Sequence, residues 1–180
     1  SGKSSQLSLL DRFLSYNKFK IKIIHERDYE PFRSLALSFN KSPKSFYLED
    51  IKNFTKARKE VYRREIFPFV EQIDYFLLDR CFHTSAVYQQ GFLSMSEIIR
   101  INLEEGIPNM DKSFIFICDP DVSFERLNQR GKVFESLEEI AKRRELYMEL
   151  ARQHPELYLI DTTHKTEDEV FEEVKMGLGN

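Results

Sequence analysis

The sequence predicts an α/β fold, a parallel β-sheet covered by helices on both faces with a phosphate-binding turn near its N-terminal end. Three observations predict it. Short apolar and β-branched runs alternate with longer helical patterns, which is the signature of strand-helix-strand units. Those runs are apolar at nearly every position, as strands buried on both faces must be. Finally, Ser1-Gly2-Lys3-Ser4-Ser5 reproduces the back half of the phosphate loop G-x-x-x-x-G-K-[ST] and leads directly into a helical pattern.

The elements follow in order. Leu7, Leu10 and Phe13-Leu14 recur at helical spacing and predict a helix over 3–16 whose N-terminus lies at the glycine-lysine pair. Strands are predicted at Lys20 to Glu26, Asp74 to Asp79, Ser113 to Asp119 and Glu156 to Asp161. Between them fall a short helix 31–39 and a long helix 46–72 with Pro68 bending its end. Further helices are predicted over 94–105, 121–130, 136–153 and 166–178. Ser136 with Glu139, and Thr166 with Glu169, form capping boxes that start the last two. Residues 39–43 and Gly131-Lys132 read as loops. A phosphate loop is fed by a central strand, so the expected sheet has about five strands, one of them upstream of residue 1. Together with the front half of the loop, that implies roughly ten to twenty preceding residues. In such sheets ligands bind beyond the carboxyl ends of the strands.

Composition narrows the function classes. The 180 residues suit one domain, 1–180, with a sizeable core. Lys and Arg number 27 against 30 Asp and Glu, a net charge of −3, which lacks the basic surplus of a nucleic-acid binder. Any anion site must therefore be local. Cys81 and Cys118 show no C-x-x-C spacing and no histidine cluster, which argues against zinc and fits reduced thiols in a cytoplasmic protein. No apolar run approaches the roughly 20 residues a membrane span needs. His83, His154 and His164 lack telling partners and read as structural or surface histidines.

Two clusters carry chemistry. Gly2 lets the backbone approach a polyphosphate, Lys3 can reach β- and γ-phosphates, and Ser4 offers a hydroxyl to magnesium; a solvated N-terminal tail is the plainer reading of the same triplet. The apolar strand Tyr75 to Leu78 ends in Asp79-Arg80. There the carboxylate can hold magnesium and the guanidinium can fork onto a phosphate, with an ordinary surface ion pair as the alternative.

Asp79, Arg80, Thr84, Tyr88 and Gln89 match the pattern Asp-Arg-x-x-x-[ST]-x-x-x-Tyr-Gln, and in this the chain resembles the thymidylate kinase family. The resemblance runs in order through Ser1 to Ser5, Phe54 to Arg58, Asp79 to Gln89, Asp119 to Glu135 and Asp161 to Thr163. It implies a three-layer P-loop kinase fold with a lid at about 126–140, and phosphoryl transfer from ATP to dTMP with magnesium. Phe54 and Arg58 look like the family's Phe-x-x-x-Arg. Four residues apart on one helix face, a ring can stack on a pyrimidine while the guanidinium donates to its exocyclic carbonyl. For Phe54 a core aromatic is the alternative.

By the same resemblance Tyr88 lies near the sugar, Gln89 near the base edge and Arg33 at the acceptor phosphate. Lys3, Asp79, Arg80 and Arg130 would be catalytic, with Ser4 and Asp79 toward the metal. Ser1 to Ser5, Arg126 and Arg130 would hold the ATP phosphates; surface pairing with Glu125 or Glu135 is the alternative for the two arginines. Arg143, Arg144 and Tyr147 are similar to a later Arg-x-x-Tyr region. A homodimer is implied.

Two departures stand out. Where relatives carry Arg-Glu-Pro-Gly-Gly-Thr, this chain has His25 to Arg33 without a glycine pair, so Glu26 or Asp28 would supply the acid near magnesium. Val133 stands where relatives have a lid arginine. Other readings consistent with these departures are a kinase for another nucleoside monophosphate or a deoxynucleoside, and a nucleotide-binding module without transfer activity.

Overall fold

The computed structural model describes residues 2–41, 47–129, 131 and 136–179. Its elements are α1 (Lys3–Tyr16), β1 (Ile21–His25), a 3-10 turn (Glu26–Asp28), α2 (Phe32–Lys41) and α3 (Leu48–Glu65). A second 3-10 turn (Phe67–Phe69), β2 (Tyr75–Asp79), α4 (Phe82–Tyr88) and α5 (Met95–Glu104) follow. The chain then runs through β3 (Ser113–Ile117), α6 (Pro120–Gln129), α7 (Leu137–Gln153), β4 (Leu157–Asp161) and α8 (Glu167–Leu178). All four predicted strands form, each a residue or two shorter than expected.

Local chemistry explains where the helices begin and stop. Ser136 accepts from the Glu139 amide and Thr166 from the Glu169 amide, and each glutamate reaches back to its cap, as the two predicted boxes require. Ser94 with Glu97 makes a third box at the start of α5. The expected long helix 46–72 is shorter: α3 ends at Glu65 and the chain passes through a 3-10 turn containing Pro68. Proline lacks the N–H that would continue the ladder, and its ring clashes with the carbonyl one turn back. Helix α4 was not expected. Phe82, His83, Ser85, Ala86 and Val87 are all buried, so the segment has no polar face to produce a helical period.

Among the described residues the strands make two parallel pairs, β1 with β2 and β3 with β4. The first runs in register from Ile21 opposite Tyr75 to His25 opposite Asp79, and the second from Ser113 opposite Leu157 to Ile117 opposite Asp161. The sequence led us to expect one sheet of about five strands; its fifth strand was placed before residue 1, outside the described residues. Both pairs are pinned at an end. The Lys20 amide donates to the Asp74 carboxylate at 2.7 Å, and the Asp74 amide returns a bond to the Lys20 carbonyl at 2.9 Å. In the other pair the Thr162 amide and hydroxyl both donate to the Ile117 carbonyl, at 2.8 and 3.0 Å.

The chain divides into two compact units, Ser1–Leu10 with Met110–Asn180, and Asp11–Asn109. Ile117, Leu150, Leu157, Ile160, Val170 and Val174 are buried in the first; Ile24, Ile51, Val61, Tyr62, Phe82, Ile98 and Ile107 are buried in the second. Burying each such side chain contributes about 1.5–3 kcal/mol. Parallel pairing has a consequence for chemistry: it sets the C-terminal residues of neighbouring strands side by side, His25 beside Asp79 in one unit and Ile117 beside Asp161 in the other.

Candidate active site

In the second unit the C-terminal ends of β1 and β2 gather the polar residues. Asp79 closes β2, and its Oδ2 lies 3.3 Å from Nδ1 of His25 across the pair. The next residue, Arg80, has φ +80°, the left-handed region that a side chain other than glycine rarely adopts. Such strain persists only where the surroundings enforce it, and it collects at functional sites. The backbone turn aims Arg80 at Tyr88 on α4, with its guanidinium carbon 5.9 Å from the ring centre. Tyr88 itself is exposed, whereas Gln89, which caps α4, is buried.

Arg27, which nothing in its spacing singles out, stands electrostatically with this group. Partial desolvation pulls its guanidinium below the ordinary arginine range and the positive charge of Arg80 pulls it further; Tyr88, Asp79 and Glu26 oppose both. Like charges on two arginines beside an exposed tyrosine can serve a dianion such as a phosphate monoester. Arg33 is exposed in the first turn of α2, where its amide donates to the Tyr29 carbonyl at 2.9 Å. The only signal for Arg27 was its place two residues beyond a strand end.

Behind these residues lies a closed polar network. Arg58 on α3 is 1% exposed and Glu26, which opens the turn after β1, is 2% exposed. Arg58 Nε and Nη2 donate to the two carboxylate oxygens of Glu26 at 2.6 and 3.0 Å. Its Nη1 donates to Asn102 Oδ1 at 2.7 Å, and Nη2 donates again to the Ser85 hydroxyl at 2.8 Å. Burial alone would lower the Arg58 guanidinium, but the Glu26 carboxylate outweighs it and holds the group above its usual value. The Phe32 ring covers the guanidinium, 5.4 Å from its central carbon. Phe54, one turn earlier on α3, meets Phe32 edge-on at 5.4 Å and packs with Ala36 and Ala57. Its surroundings are those of a core aromatic.

Cys81 sits against this network, its sulfur 3.4 Å from His83 Nδ1. Burial raises its thiol well above the ordinary range. Both cysteines are free.

The first unit carries the phosphate-loop residues and a separate charged group. Gly2 is exposed and its carbonyl accepts from the Gln6 amide at 2.9 Å, the first bond of α1; Lys3 and Ser4 follow in the opening turn, where amides and helix dipole favour an anion. The Gln6 side chain donates to the Glu167 carbonyl at 2.8 Å, tying α1 to α8. Arg126 on α6 reaches the Thr162 and Thr163 carbonyls at 3.3 and 3.4 Å. Arg144 lies 3.8 Å from Asp119 and 3.7 Å from Asp161. Ser1, Arg130 and Val133 lie outside the described residues.

Each unit by itself holds an oxygen ligand of the kind magnesium prefers. Asp79 offers a partly exposed carboxylate and Ser4 an exposed hydroxyl, both hard oxygen ligands.

The family model described as thymidylate kinase matches residues 1–174. A probable thymidylate kinase of Archaeoglobus fulgidus is 26% identical over 179 residues, covering 97% of this chain and 88% of that protein. The thymidylate kinase of Thermosipho melanesiensis is 28% identical, covering 97% and 90%. That of Leptospira interrogans reaches 35% over 103 residues, covering 55% and 50%. A crystal structure of thymidylate kinase from Ehrlichia chaffeensis superposes with a TM-score of 0.72 at 21% identity, over 99% of this chain and 92% of that one, which shows the same fold.

Proposed function

The chain belongs to the thymidylate kinase family, ATP-dependent enzymes that phosphorylate dTMP, and we propose that it holds the acceptor phosphate on Arg27 and Arg80 and the base against Arg58. The observation that carries this is the left-handed turn at Arg80, φ +80°, which sets its guanidinium carbon 5.9 Å from the Tyr88 ring directly after Asp79. Tyr88 and Gln89, at the end of α4, serve the sugar and the base edge. Arg33, exposed on α2, supplements the acceptor phosphate, while Phe54 acts through its packing under Phe32. Support for Arg58 as the base reader is its place in the Phe-x-x-x-Arg pattern, together with the one N–H donor left without a partner among the described residues.

On the donor side, Ser1 to Ser5 cradle the polyphosphate with α1 amides. Lys3 supplies the charge that follows the transferring group. Phosphoryl transfer needs little covalent help, so placing two anions in line and offsetting their repulsion is most of the work. Arg130 completes that charge from the lid. Arg126, which reaches the Thr162 and Thr163 carbonyls from α6, is assigned with Arg130 to the ATP phosphates. Magnesium, when bound with ATP, neutralises phosphate charge; Ser4 and Asp79 are the residues that would hold it. The protein functions as a single kinase domain, as a cytoplasmic homodimer, a reading supported by its free thiols and its family. Among the described residues no helix is long and apolar enough to cross a membrane.

The test is acceptor titration of the Arg27→Ala and Arg80→Ala variants. Raised KM for dTMP with KM for ATP unchanged is expected; equal rises for both nucleotides would reject the assignment.

A further inference from the structure

We propose that Glu26 is a positioning residue for acceptor choice: without touching substrate, it fixes Arg58 so that one N–H is left to read the 4-carbonyl of the acceptor base. The inference rests on Arg58 being the base reader and deepens that reading. A guanidinium has five N–H donors. Four are spent within the network, two on Glu26 and one each on Asn102 and Ser85, so among the described residues one Nη1 hydrogen remains.

The network sets the direction of that last donor from four different elements. Glu26 follows β1, Ser85 is on α4, Asn102 is on α5 and Arg58 is on α3. Asn102 cannot rotate its amide without loss, because its Nδ2 donates to the Ile98 carbonyl at 2.8 Å and so keeps Oδ1 toward Arg58. A bidentate carboxylate holds the guanidinium plane as no single bond could. The result is one fixed donor, which suits a carbonyl and opposes an amino group. Thymine presents a carbonyl at position 4 and cytosine an amino group, so the plane that Glu26 enforces favours dTMP over dCMP. An unsatisfied donor facing a donor is the larger part of such discrimination.

The experiment compares the full protein with Glu26→Gln and Glu26→Asp, using dTMP and dCMP as acceptors and measuring KM and kcat for both substrates. Glutamine keeps the shape but loses the charge; aspartate keeps the charge but draws the guanidinium back. For either folded variant we expect KM for dTMP to rise about tenfold, kcat and the KM for ATP to stay within about threefold, and the dTMP preference over dCMP to fall about tenfold. Unchanged KM and unchanged preference would overturn the proposal, as would parallel losses in both substrates. Should Glu26→Gln fail to fold, Glu26→Asp decides by the same criteria. Arg58→Lys separates this proposal from its premise: if that variant keeps both acceptor KM and preference, the base reader is elsewhere, whereas loss in Arg58→Lys with none in the Glu26 variants refutes only the positioning role.

Discussion

Arg58 grips both carboxylate oxygens of Glu26, at 2.6 and 3.0 Å, where neither side chain meets solvent. A buried ion pair of this kind is costly to break, because removing one partner leaves the other charged and dry. Position 58 therefore answers to stability and to substrate at once.

Arg58→Ala should lower stability by about 3–5 kcal/mol, the usual cost of stranding a buried partner. It should also remove most dTMP use while ATP affinity stays near normal. Thermal unfolding and nucleotide titration of the same preparation check both parts. Selective loss of ATP binding would contradict the placement of Arg58 on the acceptor side.

Arg27→Ala should raise KM for dTMP by about tenfold or more, a charge-assisted phosphate contact being worth about 1.5–3 kcal/mol. Arg33→Ala should cost less, since Arg33 is exposed on α2. Steady-state kinetics of the two variants rank them. The reverse ranking would return the acceptor phosphate to Arg33.

Most of the fold could be read from the sequence because its cues are local. Continuous apolar runs marked the four strands, and Ser136 with Glu139 and Thr166 with Glu169 marked two helix starts. Helix α4 escaped because it is buried almost all round, leaving no alternation to detect. The candidate site was only half legible. Asp79, Arg80 and Tyr88 lie within ten residues of one another, so a contiguous pattern could single them out as candidates. The partnership of Arg58 with Glu26 joins residues 32 apart, and with Asn102 residues 44 apart, and depends on how helices pack. No spacing rule records that. Arg27 was not singled out because nothing in its spacing after β1 marks it.

Thr166→Ala should destabilise the protein by about 1 kcal/mol, the cost of losing an N-cap that accepts the Glu169 amide. Kinetic constants should be unaffected at temperatures where the variant is folded. Calorimetry gives the first number and a standard assay the second. A shift in KM for dTMP would mean that α8 touches the acceptor chemistry.

Cys81 should resist alkylation at neutral pH, because burial both hides its sulfur and keeps the thiol protonated. Cys118, which is partly exposed, should react first. Iodoacetamide labelling followed by peptide mass mapping distinguishes them. Raising the pH should bring Cys81 into reaction only as the protein begins to unfold.

Lys3→Ala addresses the catalytic assignment in the phosphate loop. Lys3 opens α1 and is partly exposed, so its removal should leave the far-ultraviolet spectrum and melting temperature nearly unchanged while abolishing transfer. Unaltered turnover would remove Lys3 from the mechanism.

The most direct measurement is a coupled ADP-release assay of the full protein with ATP and magnesium, run against dTMP, thymidine, dCMP and other monophosphates, with the product identified by chromatography. The predicted result is ADP formed in step with dTDP, with dTMP the preferred acceptor. Release of ADP with thymidine but not dTMP, or ATP binding with no phosphorylated product from any acceptor, would contradict it.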